Sequence, residues 1–406
     1  MELRSPFLLL CRHKGTATLL MVEIAIGFVL LCLAWQAVVR YQARISAPSG
    51  IADTELLAFY PLVKGVSPID PDELVNRLRE IPGVRQATLS NQVPYATTSW
   101  NTVVSSRPGM DKGHSVASVY FDSGSLAKTL GFRPSQGRLF QHNEYTTFST
   151  SPTQVPHREL PALVSTALAQ RLYPGGSALG SPIYGMPQPM RVVGIVDRLP
   201  QPKGSRGHAT ESAALILPLK PADAANWFLL VRTGADRRTE VAASVQAYLA
   251  RLFPERAAAK AVTLEELRHT YFQDDRRWAW TLAACAAGWW LLTLLSIAVA
   301  GNLWVQHSAL RISLHRAVGA TQRQIVRILR FENLLLAAGG VALGWLLFAF
   351  AVDRLPMPRP AEPLPVYWQA VVALAIGFFT QLAVSWPARR AARVSPYRVT
   401  RKPVRL

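Results

Sequence analysis

Cysteine is nearly absent from this sequence. Its 406 residues include three cysteines, Cys11, Cys32 and Cys285. None of them lies between residues 41 and 275, so that stretch has no disulfide framework. It must be stabilised by an apolar core, which a stretch of this length can supply. The three cysteines lie in or beside apolar runs, where a thiol behaves as a small apolar side chain, and we interpret them as packing residues.

The sequence also lacks the short motifs of nucleotide, metal or nucleophile chemistry. It contains no G-x-x-x-x-G-K-[ST], the backbone cradle of a P-loop. It contains no H-E-x-x-H, C-x-x-C or G-x-S-x-G either. The histidines of the central stretch are scattered through loop-like sequence, which is typical of surface histidines. We therefore predict a non-catalytic chain with no cofactor site and no metal site of its own.

Acidic residues are few, and their distribution excludes one class of function. The chain has 44 Lys and Arg against 25 Asp and Glu, a net charge of +19. Residues 41–275 hold 24 of the basic and 20 of the acidic residues, so this stretch is close to neutral. The positive charge flanks the apolar runs instead. Because nucleic-acid binding needs clustered basic residues on a soluble surface, we expect no nucleic-acid partner.

Four apolar runs are each long enough to cross a hydrocarbon core of about 30 Å, at about 1.5 Å per helical residue. The first run is longer than the ~7–15 apolar residues of a signal peptide, so we interpret it as a retained span. Lys and Arg concentrate before the first run, between the second and third, and after the fourth, where the acids are Glu2 and Glu332. The positive-inside rule then places both termini in the cytoplasm.

The predicted organisation follows from these spans, and it is that of a multi-pass protein of the inner (plasma) membrane. In chain order, we expect a cytoplasmic N-terminus at 1–15, transmembrane helix 1 at 16–40, an exported domain at 41–275, transmembrane helix 2 at 276–305, a cytoplasmic loop at 306–330, transmembrane helix 3 at 331–353, an exported loop at 354–365, transmembrane helix 4 at 366–386 and a basic cytoplasmic tail at 387–406.

The exported domain has the pattern of a mixed α/β fold. In "SPIDPDELVNRLREIPGV", Asp70 is a predicted helix N-cap before Pro71, and Leu74 and Leu78 share one face. Other short apolar runs between turn residues predict a strand at 115–122, followed by a helix that ends at Gly131, and a second strand that enters a helix near Ser165. A further strand is predicted at 190–199, and a β-α-β unit extends from "NWFLLVRTG" to "AAKAVTLEEL". These repeated units favour ferredoxin-like α+β subdomains over one doubly wound sheet.

Two features inside the predicted spans carry hypotheses. Glu23 is the acid inside the first span, and an intramembrane carboxylate has either a structural partner or a function. We keep both interpretations open: contact with a headgroup or basic residue, or a role in energy coupling. In the third span, Gly340-x-x-x-Gly344 offers a small face on which another helix can pack closely.

The basic loop between spans two and three has the pattern of two helices with a break between them. Apolar residues recur at helical spacing in its first half: Leu310, Leu314, Ala317 and Val318. Gly319 can end this helix in a left-handed cap. Thr321 and Gln324 then form a T-x-x-Q capping box that starts a helix leading into span three. A short basic helix of this kind contacts anionic lipid or a protein groove with acidic residues, and the residues alone leave both open.

The loop and its surroundings resemble a known family. "LRISLHRAVGATQRQIVRILRFENLLLAAGGVALGWLL" is similar to the signature of the FtsX-like permeases, the membrane subunits of MacB-type ABC transporters. The tail "WPARRAARVSPYRVTR" resembles the end of the same family. "LVSTALAQRLYPGGSALGSPIYGMPQPMRVVGIVDRL" and "VYFDSGSLAKTLGFRPSQGRLF" resemble parts of its periplasmic core domain. The resemblance implies an α-helical membrane protein with four transmembrane helices and a large α/β domain inserted between helices 1 and 2.

In that family the stretch between spans two and three docks on an ATPase. The resemblance therefore assigns ATPase coupling to Arg311, Leu314, Arg316, Ala317, Val318, Gly319 and Ala320. Leu314, Ala317 and Val318 would pack into the ATPase groove, and Arg316 would contact its acidic rim. The sequence reaches the membrane within about 15 residues of its start and has no P-loop. ATP is therefore expected to bind an ATPase on a separate polypeptide.

The resemblance also implies a mechanism, mechanotransmission. ATP-driven closure of the ATPase moves two paired permeases, identical or paralogous, and long helices carry the motion to the exported domain. The expected function is efflux or export of peptides, antibiotics or similar compounds, with a periplasmic adaptor and an outer-membrane channel as further candidate partners. Two alternatives stay open: a lipoprotein-releasing permease similar to the LolC and LolE pair, and an FtsX-like transmitter to cell-wall hydrolases, which the size of the exported domain disfavours.

Overall fold

The chain folds into two compact units. A computed structural model describes residues 14–60, 69–108, 114–148, 159–202, 213–222, 227–253, 260–307, 321–354 and 367–392. The membrane unit comprises Met1–Ser46 and Asp274–Leu406, and the inserted domain comprises Ala47–Gln273. The domain therefore interrupts the membrane unit once, between its first and second long helices.

Helices dominate the membrane unit, whereas the inserted domain has short helices between strands. The α-helices in the described part of the chain are α1 (Lys14–Ser46), α2 (Pro71–Arg79), α3 (Leu126–Leu130), α4 (Thr166–Leu172), α5 (Arg238–Leu252), α6 (Leu264–Tyr271), α7 (Gln273–His307), α8 (Gln322–Arg354) and α9 (Tyr367–Ala392). The long helices α1, α7, α8 and α9 belong to the membrane unit.

Four described helical segments are long and apolar enough to cross a membrane. Their bounds are Gly15–Ser46, Leu264–Leu303, Val326–Phe350 and Tyr367–Ser385. Each contains an 18-residue window of mean hydropathy 1.5 or more. The prediction of four candidate transmembrane helices, with an α/β domain between the first and the second, is confirmed.

Apolar side chains from several helices pack the membrane unit together. Cys32 is buried among them, in the packing role that we inferred for it. Two clusters are formed, one by Ile24, Phe28, Cys32, Phe348 and Ile376 and the other by Leu20, Ile297 and Val384. The clusters bring α1 into contact with α7, α8 and α9.

The strands of the inserted domain are short, and most of their side chains are buried. They are β1 (Leu56–Phe59), β2 (Val84–Ser90), β3 (Asn101–Ser105), β4 (His114–Phe121), β5 (Pro134–Gly137), β6 (Thr146–Thr147), β7 (Leu160–Ser165), β8 (Pro182–Ile183), β9 (Met190–Val196), β10 (Ala214–Leu217), β11 (Leu219–Lys220), β12 (Phe228–Thr233) and β13 (Ala261–Thr263). They form three sheets.

The four-stranded sheet has a ferredoxin-like topology. Its order is β13-β1-β12-β2, and every neighbouring pair is antiparallel. Helix α2 connects β1 to β2, and helix α5 connects β12 to β13. Each β-α-β unit therefore has a strand of the other unit between its own two strands, which is the split arrangement of ferredoxin-like folds. The predicted ferredoxin-like α+β class is confirmed.

The seven-stranded sheet lies in the chain between β2 and β12, and its strand directions are mixed. Its order is β3-β4-β10-β7-β9-β5, with β8 paired to β9. The β4/β10 and β7/β9 pairs are parallel, and the others are antiparallel. A separate short pair joins β6 to β11. This second sheet has a strand order of its own, which the sequence patterns did not predict.

Local sequence signals determine where several elements begin and end. The Asp70 carboxylate accepts hydrogen bonds from the backbone N–H groups of Asp72 (2.8 Å) and Glu73 (3.2 Å), so it caps α2 as predicted. Leu74 and Leu78 are fully buried. Gly131 ends α3 with φ +82°, in the left-handed region that glycine tolerates best. These predicted helix boundaries are confirmed.

Both larger sheets contribute to one apolar core. The buried cluster includes Leu57 and Leu229 of the four-stranded sheet and Val119 and Leu215 of the seven-stranded sheet. Because the two sheets share this core, they form a single body within the inserted domain.

Candidate functional site

The predicted coupling loop is described at its C-terminal end. The backbone N–H of Thr321 donates to Oε1 of Gln324 (2.9 Å), and the N–H of Gln324 donates to Oγ1 of Thr321 (3.4 Å). These are the two reciprocal hydrogen bonds of a capping box, and α8 begins at Gln322. The residues assigned to ATPase coupling, Arg311, Leu314, Arg316, Ala317, Val318, Gly319 and Ala320, lie outside the described residues.

Gly340 and Gly344 lie where α8 meets α1. A Cβ atom on Gly340 would lie 2.7 Å from Cβ of Ile24, and one on Gly344 would lie 2.8 Å from the carbonyl oxygen of Ala25. Real Cβ atoms essentially never approach other atoms so closely. The two glycines therefore allow the backbones of α1 and α8 to approach, in the manner of small residues at membrane helix interfaces.

Glu23 joins α1 to α7. Its carboxylate Oε1 accepts a hydrogen bond from the Ser296 hydroxyl (3.0 Å), and its backbone carbonyl accepts one from the Trp289 indole N–H (2.9 Å). One turn further along α1, a Cβ atom on Gly27 would lie 3.2 Å from the Trp289 ring. Two hydrogen bonds of Glu23 and the small residue Gly27 thus hold α7 against α1. In this structure Glu23 therefore joins two helices.

A second contact joins α1 and α7 at the ends that lead to the inserted domain. Nη1 of Arg44 lies 3.2 Å from Oδ2 of Asp275, and both side chains are only partly exposed. The ion pair therefore connects the last turn of α1 with the first turn of α7. Together with the Glu23 contacts, it joins the two helices at two separate places along their length.

Inside the inserted domain, Arg268 joins the two segments that continue these helices. Its Nη1 lies 2.6 Å from Oδ2 of Asp53, and its Nη2 donates to the carbonyl oxygen of Ala47 (3.0 Å). Ala47 directly follows α1, whereas Arg268 lies on α6, directly before α7. The segment that leaves one long helix is therefore bonded to the segment that enters the next.

Burial of the Asp53 carboxylate at this position is energetically unfavourable. Only 8% of its side chain is exposed. Burial raises the pKa of Asp53, whereas a hydrogen bond from Ser49 and the nearby Arg268 guanidinium oppose that rise. A buried carboxylate of this kind is tolerated only while its partner is present. Arg268 is therefore required at this junction.

Aromatic residues pack beside the Arg268 contact. The Tyr95 ring lies 5.3 Å from the Tyr271 ring and 6.5 Å from the Phe272 ring, both at the end of α6. Tyr95 has φ +66°, a strained conformation for a tyrosine, and its N–H donates to the carbonyl of Gln201 (3.2 Å). Burial is also the main cause that raises the pKa of Tyr95. The junction is thus packed as well as ion-paired.

Two side-chain amides connect the four-stranded sheet to the seven-stranded sheet. Nδ2 of Asn91 donates to the carbonyl of Val119 (2.9 Å), and Oδ1 accepts the N–H of Phe121 (2.8 Å). Gln92 donates to the same carbonyl of Val119 (2.7 Å) and accepts the N–H of Trp100 (2.8 Å). Because the amides follow β2 and bond β4, they take the place of ladder bonds at the edge of β4 and join the two sheets.

A cleft on the described surface of the inserted domain is lined by charged groups that are already paired. It encloses about 400 Å³ between β5, β7 and β9. Arg138 forms a bidentate pair with Glu144, and Arg191 forms one with Glu159. In the described residues, no group of three His, Cys, Asp or Glu side chains is placed to hold a metal ion.

The fold and these contacts define a multi-pass membrane protein whose large α/β domain is inserted between its first two spans. Residues 16–248 match the family model of the MacB-like periplasmic core domain, and residues 284–396 match that of the FtsX-like permease C-terminal region. The first match alone covers more than half of the chain. The chain therefore belongs to the family of MacB/FtsX-type ABC transporter permeases.

Three solved structures are similar to about half of the chain. The extracellular domain of the noncanonic ABC-type transporter YknZ from Gram-positive bacteria is 16% identical, covers 50% of this chain and 96% of that chain, with a TM-score of 0.33. The periplasmic region of MacB from Actinobacillus actinomycetemcomitans is 15% identical, with coverage of 54% and 94% and a TM-score of 0.35. A domain of a Porphyromonas gingivalis permease is 16% identical, with coverage of 50% and 85% and a TM-score of 0.30. No curated protein matches the chain.

Sequence reasoning identified the capping box, the two glycines and Glu23, because each lies in a local pattern. It missed the Asp53–Arg268 pair, whose members are 215 residues apart, and the Asn91 and Gln92 amides. No periodicity or spacing marks these residues. The closest available signal was the position of Arg268 directly after the last β-α-β unit predicted before the second span.

Proposed function

We propose that this chain transmits ATP-driven motion from a partner ATPase to its inserted domain, and that it thereby drives efflux or export of peptides, antibiotics or similar compounds. ATP is bound and hydrolysed by the ATPase, which is a separate polypeptide. A second permease subunit, a periplasmic adaptor and an outer-membrane channel complete the proposed assembly. The chain lies in the inner membrane with both termini and the loop 306–330 in the cytoplasm.

The observation that carries this proposal is the series of contacts along α1 and α7. Glu23 and Arg44 join these helices in the membrane unit, and Arg268 joins their continuations in the inserted domain. A motion that moves α1 and α7 together therefore reaches, through the chain itself, the place where these two continuations are bonded to each other. That place is the edge of the four-stranded sheet where β1 and β13 pair, for example at Leu57 and Thr263.

The contacts inside the inserted domain favour movement of the domain as a rigid body over internal deformation. The two larger sheets share one core, and the amides of Asn91 and Gln92 bond them edge to edge. Cores of native packing density are bistable or rigid and do not deform continuously. A displacement at β1 and β13 therefore moves the whole domain as one body.

The coupling role is tested by purifying the tagged full-length chain from its own cells and identifying bound proteins by mass spectrometry. We expect an ABC ATPase in the wild-type sample. Leu314→Asp places a charge in the apolar docking surface, and we expect at least a tenfold loss of ATPase, equivalent to about 1.4 kcal/mol. Arg251→Asp adds a carboxylate to an exposed position of α5 and should leave recovery unchanged. Unchanged recovery with Leu314→Asp contradicts the docking assignment.

The efflux role is tested by deleting the gene and exposing the cells to antibiotics and membrane-active peptides. Increased sensitivity, restored by the wild-type chain but not by Leu314→Asp, is the expected result. Lipoproteins retained in the inner membrane would favour the lipoprotein-releasing alternative. Filamentous cells with a division defect would favour the transmitter to cell-wall hydrolases.

A further inference from the structure

The first turns of α8 carry three exposed arginines on one face. Arg323, Arg327 and Arg330 occur at positions i, i+4 and i+7. At about 100° per residue, the three lie within an arc of about 60° and span about 10 Å of helix length. We call these three residues the basic stripe.

The basic stripe has no acidic partner within the described part of the chain. None of its arginines forms an ion pair with a described carboxylate. The acid on this half of α8, Glu332, follows Arg323 by nine residues and so lies about 180° around the helix. Arg389, at the corresponding end of α9, is exposed as well. Among the described residues, the positive charge of the stripe is therefore not compensated.

The same face becomes apolar as α8 continues into its span. Leu334 follows Arg330 by one turn and is 48% exposed, and the neighbouring Phe331 is 40% exposed. Gly340 and Gly344, which pack against α1, lie about 70–110° around the helix from the centre of the stripe. A face with exposed apolar side chains inside the span and arginines at its end has the pattern of a lipid-facing surface that meets the headgroup layer.

The depth of the stripe favours lipid over a soluble protein partner. The apolar segment Val326–Phe350 has 25 residues, so it is about 37 Å long, whereas the hydrocarbon core is about 30 Å thick and the full bilayer about 40–45 Å. Its ends therefore lie among the headgroups. Arg327 and Arg330 fall inside this segment, at a depth where phosphate groups are available and a soluble ATPase surface is not.

A second copy of the chain is a poor occupant of this face. Two copies that met symmetrically through α8 would place the arginines of one stripe opposite those of the other, and like charges in contact are unfavourable. Anionic headgroups complement the stripe instead, and a guanidinium binds a phosphate through two parallel hydrogen bonds.

We propose that Arg323, Arg327 and Arg330 form a binding surface for anionic phospholipid headgroups, which holds the Thr321 end of α8 at the membrane surface. The capping box of Thr321 and Gln324 starts the helix there, and Gln381 of α9 donates to the backbone carbonyl of Arg330 (2.9 Å). The stripe is thus displayed on a helix whose start is fixed by polar contacts. This surface is separate from residues 311–320, which are proposed to meet the ATPase.

Native mass spectrometry of the purified full-length chain, titrated with phosphatidylglycerol or phosphatidylcholine, tests this proposal. We expect phosphatidylglycerol to bind more tightly than phosphatidylcholine. Each arginine should contribute about fivefold to that affinity at low salt. The triple variant R323Q/R327Q/R330Q should lose more than tenfold in phosphatidylglycerol affinity, with phosphatidylcholine affinity unchanged.

The matched control is R77Q/R133Q/R251Q, which removes three exposed arginines from the inserted domain and should keep the wild-type preference. Should the triple stripe variant fail to fold, the single variant R323Q, in the first turn of α8, carries the test with its expected fivefold loss. Unchanged phosphatidylglycerol affinity in the stripe variant, or an equal loss in the control, overturns the proposal. Loss of ATPase recovery with unchanged lipid affinity also overturns it, because the stripe would then bind protein.

Discussion

The inserted domain and the membrane unit are stabilised internally by different kinds of interaction. The inserted domain buries large side chains completely, among them Phe121 and Leu89, and leaves few apolar residues exposed. In the membrane unit, large apolar side chains such as Trp280 and Leu374 are more than 70% exposed, and the helices meet at glycines, at single polar contacts and at two small apolar clusters. The domain is stabilised by burial from water, whereas helices in lipid gain little from burial and depend on close packing and hydrogen bonds.

The largest loss of stability is expected from a core substitution in the inserted domain. Phe121 is fully buried and contacts the rings of Trp100, Phe148 and Trp227. Phe121→Ala should lower the free energy of unfolding of the domain by about 3–5 kcal/mol. Hydrogen exchange of β4 in the full-length chain measures this loss, and Leu179→Ala, at a partly exposed position, serves as control. Equal protection in both variants would contradict a domain stabilised by its core.

The next largest loss of stability is expected inside the inserted domain, where the segments that follow α1 and precede α7 are bonded to each other. Arg268→Ala leaves the buried Asp53 carboxylate without its guanidinium, which should cost about 2–3 kcal/mol because hydrogen bonds to buried charges are among the strongest. Arg238→Ala removes the exposed pair between Arg238 of α5 and Glu265 of α6, and should cost less than about 1 kcal/mol. Thermal unfolding compares the two variants. Similar losses would show that Arg268 is an ordinary surface residue.

A smaller loss of stability, confined to the contact between α1 and α8, is expected in the membrane unit. Gly340→Val forces a side chain against Ile24 and should cost about 1–3 kcal/mol through overpacking. Gly377→Val in α9 is the matched control, because a Cβ atom there would have no neighbour within 4 Å. Thermal aggregation in detergent measures both. If the two valines behave alike, close packing of α1 and α8 does not stabilise this unit.

The smallest effect is expected at the start of α8. Thr321→Ala removes one bond of the capping box and should cost about 0.5–2 kcal/mol. The loss should appear as faster hydrogen exchange of residues 322–326, whereas Thr321→Ser keeps the hydroxyl and should keep the protection. Equal exchange in both variants would mean that the cap does not set the helix start.

The sequence predicted what depends on neighbours along the chain. Asp70 was recognised as a helix cap, and the start of a helix was predicted near Ser165. In the structure both residues cap helices, since Ser165 accepts the N–H of Leu168. The four spans and the ferredoxin-like units were predicted from runs and periodicity. The mixed order of the second sheet and the Asp53–Arg268 pair depend on residues brought together only by the complete fold. Side chains such as Asn91, which replace backbone pairing, leave no local pattern at all.

The two units also differ in the surroundings of the contacts that we propose to act in coupling. The polar contacts of Glu23 and Arg44 are isolated in an apolar unit, and the Arg268 contact lies at the edge of a rigid domain. A substitution at one of these positions should therefore change coupling more than it changes the overall fold. Core substitutions such as Phe121→Ala should do the reverse.

The central claim is that motion started by ATP reaches the inserted domain through α1 and α7. The most direct measurement is hydrogen exchange of the chain in lipid nanodiscs with its co-purified ATPase, with and without a non-hydrolysable ATP analogue. The account predicts that nucleotide changes the exchange of residues 47–53 and of α6, and that Leu314→Asp abolishes this change. A nucleotide-dependent change that stops within the membrane unit, or one that persists in Leu314→Asp, would contradict it.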